Sequence, residues 1–129
     1  MIDNTILLIM GTLHDRDTAD LIERCHPLGM YKTMATLSAC RNVSDLYHSV
    51  LIDTPLGPYI SQNLSEEDFA EENVEVIRNL LYRSYLRDFY DFCRHQGRAT
   101  EEIMTPILEV CFQSINRNYT NVFFSVYIV

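Results

Sequence analysis

The sequence is poor in glycine, proline and cysteine. Its 129 residues include four of each and no tryptophan, which argues against fibrous, collagenous and linker-rich proteins. Four cysteines without a CxxC pair do not make a disulfide scaffold at this length, so we expect reduced thiols in a cytosolic protein. No apolar run approaches the roughly 20 residues of a membrane helix, and the first 13 residues lack the basic start of a signal peptide. We therefore expect neither a membrane span nor a leader.

Common catalytic motifs and positive charge are also scarce. The glycines are isolated, so there is no glycine-rich phosphate loop, and no GxSxG or HExxH motif occurs. The chain has 10 Lys and Arg against 18 Asp and Glu, giving a net charge of −8. Because negative charge repels phosphate backbones, we expect no nucleic-acid partner. The sequence assigns no catalytic, cofactor-binding or metal-ligating residue and implies no cofactor.

The remaining composition is that of one globular, mainly helical domain, with 47% apolar and 22% charged residues. Helices are predicted over 2–13, over 19–25 after Asp17, weakly over 32–39, and over 45–52 with Ser44 as the N-cap. Proline and glycine at 27–29 should end the second helix, with Gly29 in a turn of positive φ. Residues 54–58 should break the chain again.

The strongest predicted element is a helix of about 25 residues. A serine cap and an acidic first turn (Ser65 and the three residues after it) lead to 71–96, which contain no glycine or proline. Apolar residues at helical spacing form one row along this helix, and a second row beside it widens the apolar face. The first row is Val74, Ile77, Leu81, Tyr85, Phe89 and Phe92; the second is Tyr82, Leu86, Phe89 and Cys93. Such a face needs a cover from flanking helices or another polypeptide.

Gly97 should stop the long helix, and Thr100 should start another. Pro106 either kinks that helix or begins a new one capped by Thr105. From Val110 onward we find almost no charge and no helical period, and β-branched and aromatic residues predict a strand-like segment that aggregates when exposed.

Several residue groups resemble reactive sites, but each has a simpler explanation. His14-Asp15 resembles the HD pair of metal phosphohydrolases, although a solvent-facing helix end explains it. Cys25-His26 suggests a nucleophile and base, yet sequence neighbours seldom meet in that geometry. Neither this pair nor Cys93 with His95 supplies the clustered ligands of a metal site. The acidic residues at 66–68 and 71–72 suggest a carboxylate site, although a solvated acidic first turn explains them more simply.

A family resemblance goes further than these patterns. Ordered strings across residues 1–109 are similar to the subunit d family of eukaryotic V-type proton ATPases, which is related to the archaeal C subunit. The strings are residues 1–4, 7–9, 11–16, 25–29 (CHPLG), 51–56 (LIDTPL), 73–79 (NVEVIRN), 81–83, 85–86, 89–90, 92 and 106–109 (PILE).

The chain departs from the family pattern after Glu109, where an acidic-basic helical segment is replaced by an apolar tail. We therefore divide it into a subunit d-like helical region, 1–109, and a divergent tail, 110–129, an alternative or mispredicted end. Family chains are also much longer, so we expect part of the aromatic face around 82–92 to be uncovered here. The resemblance implies an all-α, multi-helix, bundle-like slice of the subunit d/C fold.

The function implied by the resemblance is that of a non-catalytic rotor part in the membrane sector of a proton pump. In the family, this part couples the central stalk to the proteolipid ring on the cytosolic face of vacuolar and endosomal-lysosomal membranes. It binds no nucleotide and has no membrane span. The alternative is a free-standing helical adaptor that binds another helix through residues 82–92. A further rival is an HD-type or thiol enzyme.

Overall fold

The structure is a computed structural model that describes residues 1–30, 32–37, 39–40, 42–69 and 73–117. Within these ranges the chain forms seven α-helices and two 3-10 turns, with no strand, which confirms the multi-helix, all-α prediction. The helices are α1 (Ile2–Leu13), α2 (Thr18–Arg24), α3 (Met34–Leu37), α4 (Val43–Asp53), α5 (Gly57–Asn63), α6 (Val74–His95) and α7 (Arg98–Arg117). The 3-10 turns are Pro27–Gly29 and Glu66–Asp68. Two compact units result, Met1–Leu81 and Tyr82–Val129.

Helix α1 is the centre of the first unit. It is buried around most of its circumference, and it contacts α2, α4 and the first 3-10 turn. Its apolar run explains this position, since Ile6, Leu8 and Ile9 are essentially inaccessible to solvent. Gly11 lets α2 approach closely, because a Cβ there would lie 1.9 Å from the buried Leu21 Cδ1.

Helix α4 packs against the segments that follow it in this unit. Leu46 is fully buried, and Tyr47 donates its hydroxyl to the Leu64 carbonyl at 3.1 Å. The Tyr47 ring also meets Phe69 edge-on, with ring centroids 5.1 Å apart. These contacts fix the chain on both sides of the second 3-10 turn.

A buried amide clamps the turn that follows α2. The Asn4 side chain donates Nδ2–H to the His26 carbonyl and accepts the His26 N–H at Oδ1, both at 2.9 Å. Gly29 is buried against Asn4, and a Cβ at Gly29 would lie 2.6 Å from Asn4 Nδ2 and from the Met1 backbone nitrogen. The prediction of a positive φ at Gly29 is wrong, because among the described glycines only Gly97 has one. Close approach, rather than φ, favours glycine here.

The predicted helix starts are partly wrong. Helix α4 is capped by Asn42, whose Oδ1 accepts the Asp45 N–H at 2.7 Å, and Ser44 lies inside the helix. Asparagine and serine cap equally well, so the choice was open by sequence. The serine at 65 starts a 3-10 turn, and the long helix begins only at Val74. The break predicted over 54–58 is confirmed at 54–56, between α4 and α5, whereas Gly57 and Pro58 already lie in the first turn of α5.

The second unit corrects the prediction for the C-terminal third. Gly97, with φ +117°, separates α6 from α7 as predicted. Helix α7 then passes through Pro106 without a new start and continues to Arg117. The strand-like prediction is wrong for 110–117, since Phe112 and Ile115 continue the spacing of buried Leu108 and pack beside it. Residues 118–129 lie outside the described part of the chain.

We expect Asn4→Ala to lower the free energy of unfolding by about 1–3 kcal/mol, because it removes both hydrogen bonds to His26 and leaves the His26 N–H without its partner, while the His26 carbonyl keeps the Gly29 N–H. Urea denaturation followed by far-UV circular dichroism measures the change. Asn63→Ala is the matched control, since the Asn63 side chain is exposed and donates to Tyr59 within its own helix turn; it should change stability by about 0.5 kcal/mol or less. Equal effects of the two substitutions would contradict the clamp.

Candidate interaction surface

The apolar row predicted along α6 is covered at its start and open further on. Val74, Ile77 and Leu81 are buried. Tyr85 and Phe92, which continue the same side at spacings of four and seven residues, are 46% and 57% exposed. The prediction that part of the aromatic face around 82–92 lies uncovered is therefore confirmed.

The second predicted row of α6 forms the core of the second unit. Leu86 and Cys93 are buried with Leu108 of α7. Partly buried side chains surround them: Phe89, Tyr90, Met104, Phe112 and Ile115. Helices α6 and α7 thus form a hairpin that turns at Gly97 and has its own small core.

Helix α7 carries a second exposed apolar row. Ile103, Ile107 and Val110 recur at intervals of four and three residues, and each is more than half exposed. This row lies on α7 and the Tyr85–Phe92 row lies on α6. Around its own helix axis, each row is rotated by about a third of a turn, in the same sense, from the buried residues that join the two helices. In an antiparallel hairpin, equal rotations place both rows on one side. We call Tyr85, Phe92, Ile103, Ile107 and Val110 the hairpin face.

Aromatic stacking gives the hairpin face a continuous surface. Phe89 lies between Tyr85 and Phe92 with nearly parallel rings, at centroid distances of 6.2 Å and 6.3 Å. The sequence pattern placed these rings on one stripe but did not single out the α7 row. The i, i+4, i+7 spacing of that row could have revealed it, had Val110 been predicted as part of the helix that begins near Thr100.

The opposite side of the hairpin is polar. Arg94 pairs with Glu101 at 3.2 Å and lies over the Tyr90 ring, 5.9 Å from its centroid. Arg98 pairs with Glu102 at 2.9 Å along α7. One side of the hairpin is therefore solvated by charge, while the other presents contiguous apolar side chains, which is typical of a protein–protein contact.

Cys25 and His26 have structural rather than reactive surroundings. Cys25 is buried, and burial raises the pKa of its thiol, partly offset by the N-terminal ammonium. His26 uses Nδ1 to accept the Leu28 N–H at 3.2 Å, and its main chain is held by Asn4. A thiol with a raised pKa is a weaker nucleophile at neutral pH, because less thiolate is present.

The other singled-out groups lie at helix ends and turns. His14 ends α1, and Asp15 follows it with φ +50°. Asp68 Oδ2 accepts both the Ser65 N–H at 2.7 Å and the Ser65 hydroxyl at 2.8 Å. The hydrogen bond from the Ser65 backbone is the main cause that lowers the pKa of Asp68. The carboxylates at 71–72 lie outside the described residues.

The described ranges hold neither a cluster of metal ligands nor a candidate membrane helix. No three His, Cys, Asp or Glu side chains there come together as a set of metal ligands. No helix described by the structure combines the length and hydropathy needed to cross a bilayer.

Comparison with known proteins identifies the family. Residues 1–118 match the family described as "ATP synthase (C/AC39) subunit". The chain is similar to proteins named V-type proton ATPase subunit d from Dictyostelium discoideum, 61% identical over 109 residues, and from Saccharomyces cerevisiae, 47% identical over 116. The Arabidopsis thaliana protein named V-type proton ATPase subunit d2 is 54% identical over 108 residues. These alignments extend over 84%, 89% and 84% of this chain, respectively.

The chain spans about a third of the length of these curated relatives, 31–32%. The identity over this shared part is high, and the family match covers the first unit and continues into the second, to one residue beyond the end of α7. The chain therefore belongs to the ATP synthase (C/AC39) subunit family.

Proposed function

We propose that the chain works as a non-catalytic component of a V-type proton-translocating ATPase. In this role it couples the central stalk to the proteolipid ring during rotary proton transport. The proposal places it on the cytosolic face of vacuolar or endosomal-lysosomal membranes, attached through the complex. The family membership and the relatives named V-type proton ATPase subunit d support it.

The hairpin face is the observation that carries the proposal. Five large apolar side chains lie exposed on one side of two helices, and the ion pairs Arg94–Glu101 and Arg98–Glu102 lie on the other. Fully burying a side chain of this kind contributes about 1.5–3 kcal/mol relative to leaving it in water. A protein within an assembly gains this energy when a neighbour covers the face, whereas an isolated chain does not.

We also propose that the chain consists of two parts that meet at residue 109. We infer that 1–109 carries the family-specific contacts and that the apolar segment 110–129 is a divergent end. The exposed row on α7 crosses this boundary only at Val110, so the hairpin face belongs mainly to the family-like region.

A free-standing helical adaptor is the second candidate function, and the same exposed face favours it, since an adaptor would bind a foreign helix there. Co-purification separates the two. We expect a tagged copy of the chain to appear with proteolipid ring proteins when the pump is solubilised in mild detergent, as measured by quantitative mass spectrometry. Recovery of the chain without any ring protein would favour the adaptor.

The isolated chain should self-associate, because the hairpin face is uncovered. We expect Ile107→Asp to shift the protein toward monomer in sedimentation velocity, while its helical circular dichroism stays unchanged. Gln113→Asp is the matched control, since it adds the same charge to an exposed site of α7 outside the face; it should leave association unchanged. A wild-type chain that stays monomeric over the concentration range and melts cooperatively would count against this expectation.

A further inference from the structure

The side of α7 that carries its exposed apolar row is uncharged as well as apolar. On the helical wheel, uncharged residues flank the row: Ala99, Thr100, Pro106, Cys111 and Ser114. Four of them are exposed and one is half-buried. Between 99 and 115, the charged residues of α7 are three glutamates, at 101, 102 and 109, and they lie outside this sector of the wheel. Over this range, no charge on that side of α7 opposes its burial.

The exposed area of the hairpin face is large enough for a dimer. Its five side chains are between 46% and 65% exposed. At about 150–200 Å² for each large side chain, this leaves roughly 500 Å² of apolar surface uncovered in one copy. Two copies that meet face to face bury roughly 1,000 Å² in total, which is the size at which specific interfaces begin. A second copy therefore supplies a partner surface of matching size and apolar character.

The ion pair between Arg94 and Glu101 sets the register of the hairpin, since it joins α6 to α7 at 3.2 Å. Both helices advance by about 1.5 Å per residue from this pair, in antiparallel directions. Phe92 is two residues before Arg94 and lies level with Ile103, two residues after Glu101. By the same count of nine residues, Tyr85 lies level with Val110. Each aromatic ring on α6 thus has an aliphatic residue of α7 at its own height.

Asp88 decides which helices of two copies can meet. It lies three residues after Tyr85 and four before Phe92, exposed at the outer edge of their row. If α6 lay on α6 of a second copy at the middle of this row, the two Asp88 carboxylates would come together and repel each other. If α6 lies on α7 of the second copy, each Asp88 stays at the rim beside an uncharged helix side.

We propose that two copies of the chain pair through the hairpin face as an antiparallel four-helix bundle, with α6 of each copy lying on α7 of the other. A twofold axis parallel to the helices relates the copies, so residues at one height meet residues at the same height. Tyr85 then contacts Val110 of the second copy, and Phe92 contacts Ile103 of the second copy. Bundles with neighbouring helices antiparallel are a common way to bury apolar helix sides.

This pairing goes beyond the proposed function, because it concerns copies that are not attached to the pump. It uses the same face as the proposed contact within the pump, so one copy cannot make both contacts at once. The pair keeps the apolar face out of water, and it has to separate before either copy attaches.

Disulfide trapping between two single-site variants of the full chain tests the arrangement. Both variants carry Cys111→Ser, because Cys111 is the exposed native thiol among the described cysteines. One adds Tyr85→Cys, the other adds Val110→Cys, and their tags differ in size. After mixing and mild oxidation, we expect the disulfide-linked heterodimer to exceed each homodimer at least tenfold, because only unlike positions come within disulfide reach.

A second pair, Phe92→Cys with Ile103→Cys, should give the same result and guards against disruption by either substitution of the first pair. Gln113→Cys is the matched control for Val110→Cys, since Gln113 is exposed on α7 outside the face; mixed with Tyr85→Cys, it should give no heterodimer above background.

Sedimentation velocity of the wild-type chain should show a dimer. Homodimers that dominate in both pairs, or a heterodimer absent from both, would overturn the arrangement. A wild-type chain that stays monomeric, or that forms larger aggregates without a dimer, would overturn the pairing itself. Recovery of the chain with ring proteins is measured separately, so this proposal and the proposed function can fail independently.

Discussion

The apolar side of α6 has to be covered along its whole length if its large side chains are to leave water. One continuous helix carries large apolar residues from Val74 to Phe92, and a helix buries such a side only where other elements cover it. The first unit covers Val74, Ile77 and Leu81. Beyond Leu81 the same side stays open, although Leu86 and Cys93 pack against α7. Folding of the described residues thus leaves part of the main helix uncovered.

The first unit shows how polar groups place a segment as firmly as a core does. Asn4 is buried on α1, and it satisfies both main-chain groups of a residue that lies 22 positions further along the chain. These two hydrogen bonds, together with the Gly29 N–H that the His26 carbonyl also accepts, hold the turn after α2 in one position. Gly29 then allows the closest approach to α1. The turn is therefore held closely against α1 by hydrogen bonds and by packing.

Much of the fold could be predicted from local pattern, and the errors have physical causes. The bounds of α1 followed from its apolar run, and Gly97 followed from its conformational freedom. Capping could not decide between Asn42 and Ser44, because both residues cap well. The strand-like prediction from Val110 onward was wrong because tertiary packing outweighs the β propensity of β-branched and aromatic residues. Phe112 and Ile115 instead lie on a helix and pack in the cluster that contains Leu86. The hydrogen bonds of Asn4 to His26 depend on long-range packing, which a single sequence does not specify. The spacing of the α7 row shows that its residues share one side, but their exposure depends on how the two helices pair.

We infer that this family member works inside a larger assembly in which another polypeptide covers the hairpin face. Cryo-electron microscopy of the pump, purified through a tag on this chain, would show whether that contact exists. We expect density for α6 and α7 in which another polypeptide covers Tyr85, Phe92 and Ile107. Pump particles that lack the chain, or that contain it with those side chains facing solvent, would rule the contact out.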